Sequence, residues 1–214
     1  MKYVVGARGS KLSMAQTNWV ISELKKVNSD CEYEIKPITT KGDTDTRPLF
    51  TIEQKGIFEK EIDKAVAAKE IDFAVHSLKD VPSELADNLI IASIPKREKV
   101  NDVFISSDDS SLDKIKPGSV IGTSSLRRAV QISRQRSDVT VKPIRGNIET
   151  RINKASGENY DAIVLAQAGI SRLGVDVTFT PLSVDDFSPS PGPGSIAIVA
   201  RTDYVQTIEL LKKM

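Results

Sequence analysis

The chain has 214 residues, a formal net charge of +1, 39% hydrophobic residues and 28% charged residues, which is an ordinary composition for a globular protein. A charge this close to zero supplies no basic field, so wholesale binding to nucleic acid or to an anionic membrane is not expected. No apolar run approaches the ~20 residues that span a bilayer, and the N-terminal apolar run is too short for a signal peptide. We therefore expect a cytoplasmic protein. The single cysteine, Cys31, excludes an internal disulfide and a cysteine-based metal cluster.

Short apolar runs alternate with helix-like segments along the chain, which predicts α/β architecture with mainly parallel sheets. Each strand-like run is followed by a polar or glycine-containing turn and, in most cases, by an amphipathic stretch. In chain order, strands are predicted at 3–5, 34–39, 71–75, 119–121, 139–144, 162–165 and 195–200, and helices near 12–24, 57–68 and 204–213.

Two polar, proline-containing segments interrupt this alternation. They are the first strap, residues 95–101 (PKREKVN), and the second strap, residues 188–194 (SPSPGPG). A segment made only of Ser, Pro and Gly cannot form regular structure. Because a last strand and helix follow the second strap and need a sheet to join, we expect a discontinuous first lobe, 1–96 plus 195–214, and an inserted second lobe, 100–190. Two straps between two lobes would leave a cleft, the usual place for a ligand.

Four turns share one design, in which a strand end is followed by Gly, Ser or Thr with arginine nearby. They are GARGS with Arg8 and Ser10, GTSSLRR with Arg127 and Arg128, IRGNIETR with Arg145 and Arg151, and AGISRLG with Arg172. Helix N-termini offer free N–H groups to anions, and arginine adds a planar fork suited to carboxylate or phosphate. Any single turn is also consistent with a capped helix and a solvent-facing arginine. Four of them at strand carboxyl ends indicate a ligand with several negative groups.

The turn GTSSLRR places two arginines in the first turns of a helix, where the macrodipole disfavours cations by about 0.3–1 kcal/mol. Ligand carboxylates can outweigh this cost through charge-assisted pairs. Adjacent helical residues are ~100° apart, so Arg127 and Arg128 need not share a carboxylate and are free to hold neighbouring ones. Neither GxxxxGK[ST] nor GxGxxG occurs, so nucleotide binding is disfavoured.

A buried strand delivers polar side chains to its carboxyl end in residues 74–82 (AVHSLKDVP). Lys79 and Asp80 point to opposite sides of an extended segment, so one can hold an anion while the other serves a cationic or proton-donating centre. The alternative is a charged turn without a role. His76 is either a structural residue or a catalyst. No Ser-His-Asp or Cys-His nucleophile system is present, and a metal site has too few candidate ligands.

The long polar segment 40–60 predicts either a lid or a disordered loop. Asp43 near its start and Lys55 near its end are the residues most easily placed over a cleft. Cys31 has no basic neighbour in the sequence, and we interpret it as structural or incidental.

Seven segments together resemble the porphobilinogen deaminase (hydroxymethylbilane synthase) family, in that family's order and over nearly the whole chain: RGSKLSMAQ, TKGDT, KGIFEKE, AVHSLKDVP, IGTSSLRRA, IRGNIETRI and YDAIVLAQAGISRLG. HSLKDVP and GTSSLRR are highly specific to the family. The resemblance implies two periplasmic-binding-protein-like (type II) lobes, joined by two hinge straps, with the active cleft between them. It also implies a transferase that joins four porphobilinogen units head to tail with release of ammonia. The product is hydroxymethylbilane, for tetrapyrrole (porphyrin and heme) biosynthesis.

The resemblance assigns site residues as well. Asp80 corresponds to the catalytic aspartate, which would lie near pyrrole N–H groups and stabilise the cation formed as ammonia leaves. Dipyrromethane is the implied cofactor, porphobilinogen and linear polypyrroles are the implied partners, and no metal is expected. The acetate and propionate groups of these pyrroles would be bound by Arg8, Ser10, Lys55, Lys79, Thr123, Ser124, Ser125, Arg127, Arg128, Arg145, Arg151 and Arg172.

Three features depart from the family pattern. The family's C-terminal domain, which carries the cysteine that anchors dipyrromethane, is expected to be absent, and Cys31 does not match that anchor. Pro193 stands in the second strap where the family has a glutamine, and Glu53 and Gln54 stand where glycines usually precede Lys55. Covalent attachment of the cofactor therefore has no matching cysteine, and a separate chain that supplies the missing domain is a possible partner.

Two hypotheses follow from the sequence. The first is an enzyme, a minimal deaminase that binds its primer non-covalently or receives the missing domain from a separate chain. The second is a non-catalytic two-lobed module that binds a pyrrole or another polycarboxylate. Nucleic-acid binding through the arginines is a distant third, because the net charge is near zero.

Overall fold

The computed structural model describes residues 1–45, 56–155, 157 and 159–214. These residues form ten strands and seven helices. The strands are β1 (Lys2–Arg8), β2 (Glu32–Ile38), β3 (Phe73–Ser77), β4 (Leu89–Ser93), β5 (Asp102–Ser106), β6 (Val120–Gly122), β7 (Thr140–Lys142), β8 (Ala162–Ala166), β9 (Thr180–Pro181) and β10 (Ile196–Arg201). The helices are α1 (Lys11–Val27), α2 (Lys41–Thr44), α3 (Lys60–Ala67), α4 (Leu126–Gln135), α5 (Ile148–Ala155), α6 (Gln167–Leu173) and α7 (Val205–Leu211). None of the helices in the described part of the chain has the length and apolar character needed to span a membrane.

The described residues divide into two compact units. The first contains Met1–Asp45, 56–97 and Ser195–Met214, and the second contains Glu98–Gly194 without residues 156 and 158. Each unit has a five-stranded sheet, with strand orders β2-β1-β3-β10-β4 and β7-β6-β8-β5-β9. The predicted α/β class is confirmed.

Both sheets are mixed, which the sequence did not predict. Four strands of each sheet run in one direction, and the fifth, β10 or β5, pairs antiparallel with both neighbours. These two strands follow the second and the first strap. A strand that enters a sheet without a preceding helical crossover is not bound to the parallel direction that such crossovers produce. The alternation of strands and helices in the sequence therefore missed the antiparallel strands.

Helices cover both faces of the first sheet. On one face Val5 packs with Leu24 of α1 and Leu211 of α7, and on the other Val199 packs with Ile62 of α3. The central strands β3 and β10 are buried on both faces, which explains why each reads as a continuous apolar run. The helix predicted from residue 57 begins three residues later, at Lys60, because residues 57–59 form a turn.

The second sheet is built in the same way. Ile121 packs with Ile132 of α4 on one face, and Ile163 packs with Ile152 of α5 and Ile170 of α6 on the other. The parallel strands β6, β7 and β8 lead into α4, α5 and α6. The turns that connect each strand to its helix therefore lie together at the carboxyl ends of these strands. Two of the four predicted arginine turns, GTSSLRR and IRGNIETR, begin there. The prediction for AGISRLG was wrong, because its residues form α6 and Arg172 lies in the last turn of that helix.

The second strap ends at Gly194, a position that only glycine can occupy. Gly194 has φ +70°, and a Cβ atom there would lie 2.4 Å from the Glu98 carbonyl oxygen and 2.8 Å from that of Lys99. Its own carbonyl oxygen accepts the Glu98 N–H at 2.9 Å and Nη2 of Arg172 at 2.6 Å. These contacts fix the end of the second strap against the first.

Replacing Gly194 by alanine is expected to lower the free energy of unfolding by about 3–5 kcal/mol, because backbone strain and a steric clash add. Gly118 is the matched control, since its φ is +82° but nothing lies within 4 Å of an added Cβ. Gly118→Ala should cost only the strain, about 1–2 kcal/mol. Urea unfolding of the two variants measures the difference, and equal costs would show that the strap contact adds nothing.

Candidate functional site

The turn between β6 and α4 is held by its own hydroxyl side chains. Ser125 caps α4, since its Oγ accepts the Arg128 N–H at 3.5 Å, and Thr123 Oγ1 accepts the Ser125 N–H at 3.2 Å. Ser124 Oγ donates to the Ile144 carbonyl oxygen at 2.6 Å and accepts the Ile144 N–H at 3.1 Å. All three predicted site hydroxyls therefore have a structural partner within the second unit.

Both arginines of this turn pair with one carboxylate, that of Asp102 at the start of β5. Nη2 of Arg127 donates to Oδ2 at 2.6 Å, and Nη2 of Arg128 donates to Oδ1 at 2.6 Å. Nη1 of Arg128 also donates to the Val164 carbonyl oxygen at 3.1 Å, and Nη1 of Arg127 donates to that of Ser188. The sequence suggested that the two arginines need not share a carboxylate, whereas the structure shows that they share this one.

The Asp102 carboxylate remains ionised in spite of its burial. Burial raises its pKa, but the hydrogen bonds and charges of Arg128 and Arg127 outweigh that effect and hold the pKa below its ordinary value. Two guanidinium groups and one carboxylate leave a net positive charge beside α4. Arg128 is only 8% exposed, and its Nε has no hydrogen-bond partner among the described residues. One buried donor is therefore left for a further acceptor.

Sequence reasoning missed Asp102. Its only signal is an acidic residue at the first position of an otherwise apolar strand, DVFIS, immediately after the first strap. A charge at the edge of a buried strand needs a counter-charge, and the two arginines of GTSSLRR needed one as well. Residue types therefore indicated that each charge needed a partner, but not which residues would pair.

A second group of positive charges follows β7. Burial, together with the charges of Arg128 and Arg145, lowers the pKa of Arg151 to about 10. Nε of Arg151 donates to the Gly146 carbonyl oxygen at 2.7 Å, and Nζ of Lys154 donates to the Arg145 carbonyl oxygen at 3.0 Å. The structure thus brings together arginines from two of the predicted turns, close enough to repel one another. A bound anion would relieve that repulsion.

Arg172, in the last turn of α6, contacts the second strap. Its Nη2 donates to the Gly194 carbonyl oxygen at 2.6 Å. Burial lowers the pKa of Arg172, and the charge of Glu98 acts in the opposite direction. This arginine therefore also has a structural partner in the second unit.

In the first unit, Arg8 pairs with Asp43. Nε of Arg8 donates to Asp43 Oδ1 at 3.1 Å, Nη2 pairs with the same carboxylate, and the guanidinium lies 4.2 Å from the centroid of the Phe58 ring. The N–H and hydroxyl of Thr40 donate to Asp43 Oδ2 at 3.0 and 2.8 Å. Burial raises the pKa of Asp43, but the hydrogen bonds from Arg8 and Thr40 outweigh it, and the pKa is lowered. Arg8 is thereby fixed over an aromatic ring at the carboxyl end of β1.

Ser10 caps α1. Its Oγ accepts the Ser13 N–H at 3.3 Å, and the Arg8 N–H donates to Ser13 Oγ at 3.1 Å. The capped helix that was the alternative for a single turn is therefore present here.

The end of β3 carries the remaining predicted residues. His76 is buried and its Nε2 lies 2.9 Å from Asp63 Oδ1 of α3, which favours the structural alternative for this histidine. Lys79 and Asp80 follow in a single 3₁₀ turn, Leu78–Asp80, and both are exposed. The predicted Lys55 lies outside the described residues, as do Glu53 and Gln54. Among the residues that the structure describes, no group of three or more His, Cys, Asp or Glu could hold a metal ion.

Substituting Asp102 by asparagine is expected to lower the free energy of unfolding by about 3–5 kcal/mol, because it leaves buried guanidinium charge without its partner. The stabilisation is present above the ordinary pKa of an aspartate and is lost as the pH falls through the lower folded-state pKa. The difference between wild type and Asp102→Asn should therefore shrink in acid.

Asp138 is the control, since it pairs with Arg136 at 2.8 Å in an exposed position. Asp138→Asn should cost about 1 kcal/mol or less. Urea unfolding of the three proteins between neutral and acid pH measures both effects. An Asp102→Asn cost no larger than the control would contradict the shared-carboxylate interpretation.

A family model described as "Porphobilinogen deaminase, dipyromethane cofactor binding domain" matches residues 3–209. The "Probable porphobilinogen deaminase" of Nitrosopumilus maritimus (strain SCM1) is 81% identical over 214 residues, which cover 100% of this chain and 69% of that relative. The "Porphobilinogen deaminase" of Listeria innocua serovar 6a is 47% identical over 216 residues, which cover 98% of this chain and 70% of the relative.

Solved structures share the fold at low sequence identity. The "BenM effector binding domain with its effector benzoate" has a TM-score of 0.55 and 12% identity, covering 99% of this chain and 90% of that one. The reduced form of the OxyR regulatory domain from Pseudomonas aeruginosa has a TM-score of 0.51 and 17% identity, covering 99% and 96%. Identities this low show the fold alone, which is the expected type II periplasmic-binding-protein-like α/β fold.

The sequence matches and the motif residues lead to the same conclusion. The family model spans nearly all of the chain, and an 81% identical relative covers all of it. The motifs that carried the resemblance, HSLKDVP and GTSSLRR, lie at the carboxyl ends of β3 and β6. The predicted resemblance is confirmed, and the chain belongs to the porphobilinogen deaminase family, transferases that make hydroxymethylbilane in tetrapyrrole biosynthesis.

Proposed function

We propose that this chain binds the carboxylates of dipyrromethane and porphobilinogen and catalyses the head-to-tail joining of porphobilinogen units to hydroxymethylbilane. The observation that carries the proposal is the clustering of arginines after β6 and β7 in the second unit. The charges of Arg128 and Arg145 disfavour the charged state of Arg151, while the Asp102 carboxylate is already shared by two guanidinium groups. Acetate and propionate groups are the counter-charges that this chemistry supplies.

The residues present fit a polycarboxylate such as dipyrromethane. Arg128 has a buried Nε donor without a partner among the described residues, and burial and neighbouring charges destabilise the charge on Arg151 until an anion arrives. When bound, dipyrromethane supplies the primer to which pyrrole units are added. The residues proposed to hold its carboxylates and those of the substrate are Arg8, Ser10, Lys55, Lys79, Thr123, Ser124, Ser125, Arg127, Arg128, Arg145, Arg151 and Arg172.

Binding of the primer to these residues is non-covalent in this proposal. Cys31 is 7% exposed and packs in the core of the first unit with Tyr3 and Leu24, so its side chain is largely inaccessible. Covalent anchoring would need a cysteine from outside these residues. A separate chain that carries the family's C-terminal domain is therefore a proposed partner.

Asp80 is the proposed catalytic residue. Its exposed carboxylate at the carboxyl end of β3 can stabilise the positive charge that develops on the substrate as ammonia leaves. Two contacts hold the end of this strand. His76 bonds to Asp63 at 2.9 Å, and Nε2 of Gln16 donates to Ser77 Oγ at 3.1 Å. The charge is thereby placed on a rigid element before the substrate binds.

Replacing Asp80 by asparagine is expected to lower kcat by about 10²–10³-fold, because a fixed negative charge is lost from beside the developing cation. Binding of a linear polypyrrole should change little. Consumption of porphobilinogen and release of ammonia are measured with and without added dipyrromethane, and with a chain carrying the C-terminal domain.

Asp87→Asn is the control for this experiment, since it removes an exposed carboxylate after the same strand. The enzyme proposal would be contradicted if porphobilinogen were not consumed in any mixture, or if the Asp80→Asn protein had full activity. Calorimetric binding of the pyrrole without release of ammonia would support the binding-module alternative instead.

Replacing Arg151 by glutamine is expected to separate stability from binding. The free energy of unfolding without ligand should stay within about 1 kcal/mol of wild type, because relief of repulsion offsets the lost hydrogen bond. Affinity for a linear polypyrrole should fall about 10–100-fold, the loss of one charge-assisted hydrogen bond. Arg134→Gln, which removes an exposed arginine from α4, is the control for titration calorimetry. Unchanged affinity in Arg151→Gln would remove Arg151 from the proposed site.

A further inference from the structure

A buried carboxyl group precedes the helix that contacts the end of β3, the strand that leads to the proposed catalytic Asp80, and it has no part in the function described so far. Glu59 immediately precedes α3 and is 3% exposed. Its Oε2 accepts the Phe58 N–H at 3.2 Å. No ion pair joins Glu59 to a lysine or arginine among the described residues. A carboxyl group buried in this way either ionises at a cost or retains its proton.

The position of Glu59 follows from the contact between α3 and β3. The Glu59 carbonyl oxygen accepts the Asp63 N–H at 2.8 Å, so the two residues are one helical turn apart. Asp63 Oδ1 lies 2.9 Å from His76 Nε2 near the end of β3, and Asp80 follows His76 by one short turn. Glu59 and Asp63 therefore lie at the start of the helix that contacts the end of β3, and Asp80 lies in the turn that follows this strand.

The electrostatics of this group act mainly on Glu59. Burial, with a smaller contribution from the negative charges of Asp80 and Asp63, raises the pKa of Glu59 to about 7. The charge of His76 and the hydrogen bond from the Phe58 N–H lower the pKa of Glu59, but by less than the other effects raise it. The charged groups that act on Glu59 are therefore Asp63 from α3, His76 from β3 and Asp80 from the turn after β3.

We propose that Glu59 is a positioning residue for Asp80: its buried carboxyl group holds a proton in the form of the protein that binds the ligand, so that Asp80 presents the negative charge. The inference rests on the role proposed for Asp80. Loss of the Glu59 proton places a second negative charge beside Asp80. That charge repels a substrate which itself carries two carboxylates, so binding weakens as the pH rises.

A carboxyl ¹³C NMR titration of the full chain tests the proposal without turnover. One glutamate resonance should titrate near pH 7, and it should disappear in Glu59→Gln, which assigns it. In Asp80→Asn the same titration should move to lower pH, because one of the charges that oppose ionisation is gone. Glu209→Gln, which removes an exposed carboxylate that pairs with Lys212 at 2.9 Å, should leave the titration in place. The proposal is overturned if the Glu59 resonance titrates at the ordinary pKa of a glutamate, or if its pKa is the same in wild type and in Asp80→Asn.

Stability and kinetics give a second readout. Because the folded state holds the Glu59 proton more tightly than the unfolded chain does, its stabilisation is present at low pH and is lost as the pH rises through the folded-state pKa. The Tm of wild type should therefore fall relative to that of Glu59→Gln between about pH 5 and about pH 8. The wild-type kcat/KM for porphobilinogen should fall relative to that of Glu59→Gln over the upper part of this range, through KM.

The two proposals fail in different ways. A protein that shows the coupled Glu59 titration but does not consume porphobilinogen contradicts the proposed function and leaves the Glu59–Asp80 coupling in place. A protein that turns over normally, with parallel Tm and pH profiles for wild type and Glu59→Gln, contradicts only the coupling.

Discussion

The buried carboxylate of Asp102 organises the second unit. It accepts one hydrogen bond from each of two guanidinium groups, and these arginines extend the contact to β8 through Val164 and to the second strap through Ser188. Without it, two cations would lie unneutralised in the first turn of α4, at the positive end of the helix dipole. One carboxylate offsets one of the two charges. The proposed binding of ligand carboxylates rests on the remaining charge and on the arginines after β7.

In the first unit the group of charges at the end of β3 is mainly negative. Arg8 is neutralised by Asp43, whereas at the end of β3 His76 contacts Asp63 and the negative charges of Asp80 and Asp63 act on the buried Glu59. Such a group is tolerable when one carboxyl keeps its proton and another is exposed to water. A substrate with carboxylates and a developing cation uses both kinds of charge. The arginines after β6 and β7 and the exposed carboxylate of Asp80 therefore belong to one proposed reaction.

Local patterns predicted the fold well where apolar residues decide it. The strands β3, β8 and β10 were found because strands buried on both faces read as unbroken apolar runs. The buried face of α1 was less predictable, since it includes Gln16 and Thr17. Both are tolerated because they have partners: Gln16 bonds to Ser77, 61 residues away, and Thr17 bonds to the Ser13 carbonyl oxygen. Short edge strands such as β9 carry too few residues to show a period.

The sequence by itself determined the α/β class and the family, because these depend on residue type and spacing along the chain. Only the tertiary structure decided which charges meet. Asp102 lies 25 residues before Arg127, and Asp63 lies 13 residues before His76. Electrostatic pairing acts through space and leaves no period in the sequence. For that reason the motifs could be identified in the sequence, whereas the carboxylates that pair with them were identified only in the folded structure.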